Sequence, residues 1–232
     1  MLYKFRKYFG KFLLKLALNS NDLVISSRKN IKLPNDQLSF LFDSLKNAQH
    51  EDLTEWNSII LNPKDLQWFN EWPGEHYKLL ASLTKIQNSK LVLEIGTYRG
   101  LGALALSKYS NSVVTYDIVE LANIKQSISN LCEIRSNVVQ KIMDLQVDEN
   151  YELELSLIKN ADLVFIDGPK NSRFEQKMIP KLIKDMKLNS ILVIDDIRFF
   201  NMVEIWENIN QPKIDLADFG HISGTGIVFI QK

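Results

Sequence analysis

The stretch Leu91–Ser107, LVLEIGTYRGLGALALS, decides the fold class of this chain. It begins with an apolar run that is typical of a buried strand, and it turns at Gly96 and Gly100. The small residues that follow, from Ala103 onward, favour a helix. A strand, a glycine turn and a helix N-terminus in this order often form a binding place for a small ligand.

Strand-like and helix-like segments alternate along the rest of the chain. The later strand-like segments are 112–117, 137–143, 161–167, 190–196, 214–219 and 226–231. The helix-like segments between them are 121–132, 153–159, 174–187 and 199–209. Nearly all-apolar strands are typical of parallel sheets that are covered on both faces. The pattern therefore predicts an α/β fold, a Rossmann-like doubly wound sheet of seven strands. No helix separates the final two strands, so the last strand is expected to be antiparallel.

The sequence divides into an N-terminal helical extension or lid, residues 1–74, and a ligand-binding domain, residues 75–232. Residues 1–18 carry apolar side chains at helical spacing with lysines on another side, which predicts an amphipathic helix. Residues 1–32 hold eight basic residues and one acidic residue. Such a helix either contacts an anionic membrane surface or packs on its own domain or on a second subunit, as in a homodimer.

Composition bounds the class of protein. Lys+Arg and Asp+Glu are both 28, so no overall positive field attracts nucleic acid, and a nucleic-acid partner is not expected. The chain has one cysteine, which excludes an internal disulfide and suits the reducing cytoplasm. No apolar run approaches the roughly 20 residues that span a bilayer. Charges as far as Lys15 argue against a signal peptide, so a cytoplasmic protein is expected.

Acidic residues stand at the ends of five predicted strands, where ligands bind in open α/β sheets. They are Glu94, Asp117, Asp144, Asp167 and the pair Asp195-Asp196. One acid is explained as the cap of the next helix, but the whole set is not. A dinucleotide site needs glycine where Glu94 stands. The pattern therefore favours a ligand without phosphate, such as S-adenosylmethionine, whose ribose hydroxyls can donate to Asp117.

From about Glu75 onward, the chain resembles the class I S-adenosylmethionine-dependent methyltransferases, and most of all the metal-dependent O-methyltransferases of the catechol and caffeoyl-CoA type. The resemblance rests on Leu93–Gly100 (LEIGTYRG), on Val164–Lys170 (VFIDGPK) and on the Asp195-Asp196 pair. It implies S-adenosylmethionine as cofactor. The residues implied to bind it are Glu94, Gly96, Thr97, Tyr98, Gly100, Asp117, Ile118, Asp144 and Asp167.

The resemblance also implies a reaction. Asp167, Asp195 and Asp196 would hold Mg2+ or another divalent cation, which prefers oxygen ligands. That ion would lower the pKa of a hydroxyl on a small-molecule acceptor, and Lys170 would be the catalytic residue that takes the proton. The chain departs from the family in having Asp196 where asparagine is usual.

Three interpretations stay open, and the metal-assisted O-methyltransferase is the first of them. A metal-independent methyltransferase acting on a sugar or a secondary-metabolite precursor would need another base, for which His221 is the candidate. A lone histidine in a loop is, however, more often exposed or simply hydrogen-bonded, and the same holds for His76, which could line the cofactor site. A non-catalytic Rossmann-like binding module is the third alternative.

Overall fold

A seven-stranded sheet forms the centre of the computed structural model, which describes residues 33–170 and 173–231. The amphipathic helix predicted for residues 1–18 lies outside the described residues. The strands are β1 (Leu91–Ile95), β2 (Ser112–Asp117), β3 (Val138–Ile142), β4 (Leu163–Ile166), β5 (Ile191–Asp195), β6 (Lys213–Asp215) and β7 (Thr225–Phe229).

The strand order is β3-β2-β1-β4-β5-β7-β6. Strands β1 to β5 pair in parallel, whereas β7 is antiparallel to both β5 and β6. This confirms the predicted fold. The order reverses between β1 and β4, and such a switch point opens a crevice at the carboxyl ends of the strands.

Eight α-helices and two short 3-10 helices are seen in residues 33–170 and 173–231. The α-helices are α1 (Asn35–His50), α2 (Pro63–Asn70), α3 (Tyr77–Gln87), α4 (Leu101–Leu106), α5 (Leu131–Ile134), α6 (Asp148–Asn160), α7 (Arg173–Asp185) and α8 (Met202–Asn208). The 3-10 helices are Thr54–Ile59 and Leu121–Asn123. None of the helices within the described ranges is both long and apolar enough to cross a membrane.

Two hydrophobic cores cover the two faces of the sheet. Val92 and Phe165 point into one core, while their neighbours Leu93 and Val164 point into the other. Alternate side chains of β1, β4 and β5 are thus buried on opposite faces, which explains why these strands are almost entirely apolar.

The described part of the predicted extension packs into the first of these cores. Leu41, Leu53 and Phe69 are buried there with the apolar side chains of α3 and α4. Residues 33–74 therefore share a core with the sheet. The boundary at residue 74 stays a prediction.

The single helix predicted for residues 121–132 is wrong. The segment instead forms the 3-10 helix, a loop and the one-turn α5. Its backbone is engaged elsewhere: the Ile128 N–H donates to Arg99 O at 3.0 Å, and the Ser127 hydroxyl donates to Leu121 O. The segment supports the loop after β1, and these tertiary contacts replace helical hydrogen bonds.

Candidate active site

The loop between β1 and α4 is held close to the end of β4. Gly96 has a φ of +107°, and a Cβ atom on it would lie 2.1 Å from Asp167 O. Only glycine fits such a conformation and such a close approach. The Gly96 N–H also donates to Tyr116 O at 2.8 Å. The loop is therefore fixed between β2 and β4, at the switch point.

Glu94 lies beneath this loop and is 1% exposed. It accepts a hydrogen bond from the Thr115 hydroxyl at 2.5 Å, and Thr115 in turn contacts the Thr97 hydroxyl at 2.6 Å. A Cβ atom on Gly102 would lie 2.0 Å from Glu94 Oε1, so the glycine leaves room for the carboxyl group. Burial raises the pKa of Glu94 well above its usual value. The structure therefore places Glu94 as a buried support of the loop.

Asp117, at the end of β2, accepts hydrogen bonds from three backbone N–H groups. Its Oδ2 accepts from Tyr98 N at 2.9 Å, and its Oδ1 accepts from Ile118 N and Val119 N at 2.7 and 3.1 Å. Each carboxylate oxygen has two acceptor positions. Oδ2 therefore keeps one acceptor position for a ligand, next to the exposed side chains of Tyr98 and Ile118.

The structure brings the other predicted cofactor residues to the same edge. Thr97 and Gly100 lie on the loop after β1, and Asp144 follows β3 with its Oδ1 accepting from Gln146 N at 2.8 Å. Asp167 follows β4 and its side chain is 35% exposed. The predicted residues therefore lie along one edge of the sheet, where the switch point opens a crevice, and the side chains of Glu94 and Thr97 are buried below them.

A second cluster lies beside this crevice, where β4 and β5 end, and Lys170 is at its centre. The Lys170 Nζ lies 3.1 Å from Asp167 Oδ1, 3.7 Å from Asp195 Oδ2 and 3.7 Å from Asp196 Oδ2. It also donates to Asp195 O at 3.1 Å. Lys170 and Asp196 both adopt positive φ, of 51° and 57°. The predicted acids thus surround the predicted catalytic lysine.

The charges of these carboxylates determine the direction in which the pKa of Lys170 is shifted. Burial alone would lower its pKa, because its side chain is only 9% exposed. The negative charges of Asp167, Asp195 and Asp196 outweigh burial and raise the pKa of Lys170 above its usual value. In this arrangement Lys170 holds its proton and acts as a cation.

Two histidines contact the other carboxylate oxygen of Asp195, Oδ1, whereas Lys170 lies nearer to Oδ2. His221 Nε2 lies 2.8 Å from Asp195 Oδ1, and His76 Nδ1 lies 3.3 Å from the same oxygen. Burial opposes protonation of both rings, but the hydrogen bond to Asp195 raises the pKa of His221 to about 9, and the charge of Asp195 raises the pKa of His76. Both histidines therefore belong to the cluster and are not simple surface residues.

Two sets of side chains in residues 33–170 and 173–231 could hold a metal ion. The potential ligand atoms of Asp195, Asp196 and His221 all lie within 4.8 Å of one another, as do those of Glu75, His76 and His221. Asp167, which the resemblance includes among the metal ligands, belongs to neither set and pairs with Lys170.

Two features near the site were not predicted from the sequence: the position of Glu75 in the cluster, and the ion pair of Arg99. Glu75 enters the cluster although its surroundings in the sequence carry no recognisable motif. Arg99, inside the loop after β1, donates from one guanidinium nitrogen, Nη1, to both carboxylate oxygens of Asp65 of α2, at 3.0 and 2.7 Å. Arg99 stands in the motif that was recognised, but nothing in the sequence marks Asp65 as its partner.

Comparisons with known proteins give a family and several similar folds. The sequence profile of a family described as O-methyltransferase matches residues 67–221. No curated protein sequence matches the chain significantly.

Among solved structures, an O-methyltransferase from Bacillus cereus in complex with SAH is 18% identical, with a TM-score of 0.52 over 87% of this chain and 94% of that one. A SAH-bound methyltransferase from Podospora anserina is 13% identical, with a TM-score of 0.51 over 88% of this chain and 100% of that one. At these identities the structures show a common fold.

Proposed function

This chain belongs to the O-methyltransferase family, and from that premise we propose that it moves the methyl group of S-adenosylmethionine to a hydroxyl oxygen of a small molecule. One observation carries the proposal. The crevice formed by Gly96 and Asp117 lies next to the cluster of Lys170, Asp195 and His221, at the ends of neighbouring strands. A methyl donor and a proton-handling acceptor site would thus lie side by side, and such alignment is the main contribution an enzyme makes to methyl transfer.

The crevice offers groups that suit each part of the cofactor. We assign the ribose hydroxyls to Asp117, because its Oδ2 keeps an acceptor position beside the exposed Tyr98 and Ile118. We assign the adenine amino group to Asp144 and the cationic methionine end to the Gly96 loop near Asp167. Glu94 would act from below, by fixing the loop through Thr115.

Asp117→Ala tests this assignment. A hydrogen bond to a charged group contributes about 1.5–3 kcal/mol, so we expect S-adenosylmethionine to bind roughly 10- to 150-fold more weakly. Calorimetric titration measures the affinity. Asp148→Ala is the matched control, because Asp148 is an exposed carboxylate on α6 that pairs with Lys177 and Lys181. Equal affinities for the two variants would remove Asp117 from the cofactor site.

The acceptor hydroxyl must lose a proton as its oxygen receives the methyl group. Lys170 is our candidate for the catalytic residue that handles this proton, since it lies between the acids that end β4 and β5. It holds a proton while three carboxylates surround it. It can therefore accept another group's proton only when their charge is partly compensated.

A divalent cation is the finer part of the proposal. The cluster carries four carboxylates, those of Glu75, Asp167, Asp195 and Asp196, against the ammonium of Lys170 and the imidazoles of His76 and His221, whose pKa values are raised. Its carboxylates thus outnumber its cationic groups by one, which fits a cation. Of the three ligands implied by the resemblance, Asp195 and Asp196 fit because they belong to a compact set, whereas Asp167 does not. An ion bound there would lower the pKa of the acceptor hydroxyl.

Chelation tests this part. We expect EDTA to lower the rate of methyl transfer, and a divalent cation added in excess to restore it. Binding of S-adenosylmethionine is the internal control and should not change, because the crevice is formed by other side chains. Full activity in EDTA would instead support a metal-independent methyltransferase, with a sugar or secondary-metabolite precursor as the candidate acceptor.

A further inference from the structure

We infer that the histidine side of the cluster binds a transition-metal dication, with ring nitrogens among its ligands. His76 provides the first observation. It is 4% exposed, and neither of its ring nitrogens makes a hydrogen bond of acceptable geometry. Buried polar atoms are nearly always hydrogen-bonded, whereas Nδ1 of His76 has only the 3.3 Å ion-pair contact with Asp195 Oδ1. A ligand at Nδ1 would complete its bonding.

The potential ligand atoms of Glu75, His76 and His221 lie within 4.8 Å of one another, close enough to surround one ion. Nδ1 of His76 lies 3.3 Å from Asp195 Oδ1 and 4.0 Å from Glu75 Oε2, and the His221 Nε2 lies 2.8 Å from Asp195 Oδ1. Bonds of about 2.1 Å to a metal separate neighbouring ligand atoms by about 3.0–3.4 Å, and the three distances lie within or on either side of this range. Glu75, His76 and His221, together with Asp195 Oδ1, therefore form a mixed nitrogen and oxygen site.

The surroundings fix the two imidazoles in orientations that suit metal binding. The His221 Nδ1 lies 2.8 Å from the Ser223 hydroxyl, which leaves Nε2 to face the cluster. Metal-binding histidines commonly have their second nitrogen held in this way. The His76 ring packs against two aromatic rings, and its centroid lies 4.4 Å from that of Tyr77 and 5.2 Å from that of Phe165. The rings are thus preorganised.

The donor atoms select the class of ion. Imidazole nitrogens suit zinc, cobalt and iron, whereas Mg2+ prefers an all-oxygen shell. The inferred site shares Asp195 with the oxygen-only set of Asp167, Asp195 and Asp196 but adds ring nitrogens to it. The Lys170 ammonium contacts all three carboxylates of the oxygen-only set. The inference rests on the proposed function only in that it concerns the same cluster. Ion binding is measured without acceptor or turnover.

The test is a titration of the EDTA-treated, dialysed full chain with Co2+. Bound Co2+ is followed by its visible absorption and by calorimetry, and Mg2+ is titrated in parallel. We expect one Co2+ per chain and much weaker binding of Mg2+. His76→Ala and His221→Ala should each weaken Co2+ binding at least about tenfold. Mutation of a residue that only hydrogen-bonds to a metal ligand already lowers metal affinity by about this much, and here the ligand itself is removed.

The chain supplies a matched control. Of the three histidines of the chain, His50 is the one outside the cluster, and it is exposed at the end of α1. His50→Ala should therefore bind Co2+ like the unaltered protein. Asp167→Asn should also retain Co2+ binding. The histidine variants are checked for S-adenosylmethionine affinity, which shows that they are folded. Asp167→Asn is checked by circular dichroism instead, because Asp167 lies near the cofactor crevice.

Three results would overturn the inference. Mg2+ binding as tight as Co2+ binding, with the histidine variants unaffected, would indicate an oxygen-only site. Absence of bound Co2+ in the unaltered protein would indicate that the cluster is held by hydrogen bonds alone. Loss of Co2+ binding in His50→Ala as well would indicate non-specific binding to histidine. Failure of the unaltered chain to bind S-adenosylmethionine would count against the proposed function instead.

Discussion

Lys170→Met is expected to lower kcat for methyl transfer by about 10²- to 10⁴-fold, the range that a general acid–base group contributes. Methionine matches the length and apolar stem of lysine but neither carries nor exchanges a proton. The crevice is formed mainly at the ends of β1, β2 and β3, and Asp167 is its one member in contact with Lys170. The affinity for S-adenosylmethionine should therefore change far less than kcat. The two quantities are measured by single-turnover methyl transfer and by calorimetric titration.

Lys170→Met also removes the cation from a buried group of three carboxylates, which can destabilise the fold. Lys170→Arg separates the two effects, because arginine keeps the positive charge but does not give up its proton at accessible pH. It should therefore be folded and still strongly impaired. Lys125→Met is the surface control, since Lys125 is exposed on the loop after β2.

Near-normal kcat in folded Lys170→Met would remove Lys170 from the chemistry. His221 would then be the remaining candidate for the base in a metal-independent enzyme. Both His221 and His76 contact Asp195, but the His76 side chain is buried, whereas that of His221 is partly exposed. The result of the chelation experiment would then separate the alternatives. No activity in any preparation that binds the cofactor would favour the non-catalytic module.

The fold was largely predictable because the strands are buried on both faces. Core strands such as Leu91–Ile95 and Ile191–Asp195 are apolar at every position except the acids Glu94 and Asp195, because both of their faces are buried. An apolar run of this kind can be recognised from the local sequence alone. The strand ends were predictable for the same reason, since an acid that follows an apolar run marks the sheet edge. Local sequence was sufficient for these features.

Local sequence was not sufficient where backbone groups bind distant partners. Residues 121–132 have a helical pattern, but the Ile128 N–H bonds to Arg99 O and no long helix forms. His76 and His221 converge on Asp195 from loops that are far apart in sequence, so their spacing carries no signal. The position of Lys170 depends on a backbone φ of +51°, which residue type alone does not predict.

Gly96→Ala should destabilise the protein by at least about 4 kcal/mol, a size reserved for a few named causes such as backbone strain. Two causes coincide at this residue. Residues that have a Cβ atom rarely adopt a φ of +107°. The added Cβ would also lie only 2.1 Å from the backbone oxygen of Asp167, which is a steric clash. A backbone atom cannot rotate away, so β1 and β4 would have to separate at the site.

Chemical denaturation with urea measures this change in the free energy of unfolding, with Gly220→Ala as the matched control. Gly220 has no positive φ of this kind, and the nearest atom to its added Cβ is Leu216 O at 3.3 Å, so we expect a loss below about 1 kcal/mol. Any Gly96→Ala protein that folds should bind S-adenosylmethionine poorly, because the loop that faces the cofactor must move. Equal stability of the two variants would mean that the β1 loop does not approach Asp167 as closely as described, and the side-by-side arrangement of the two half-sites would lose its basis.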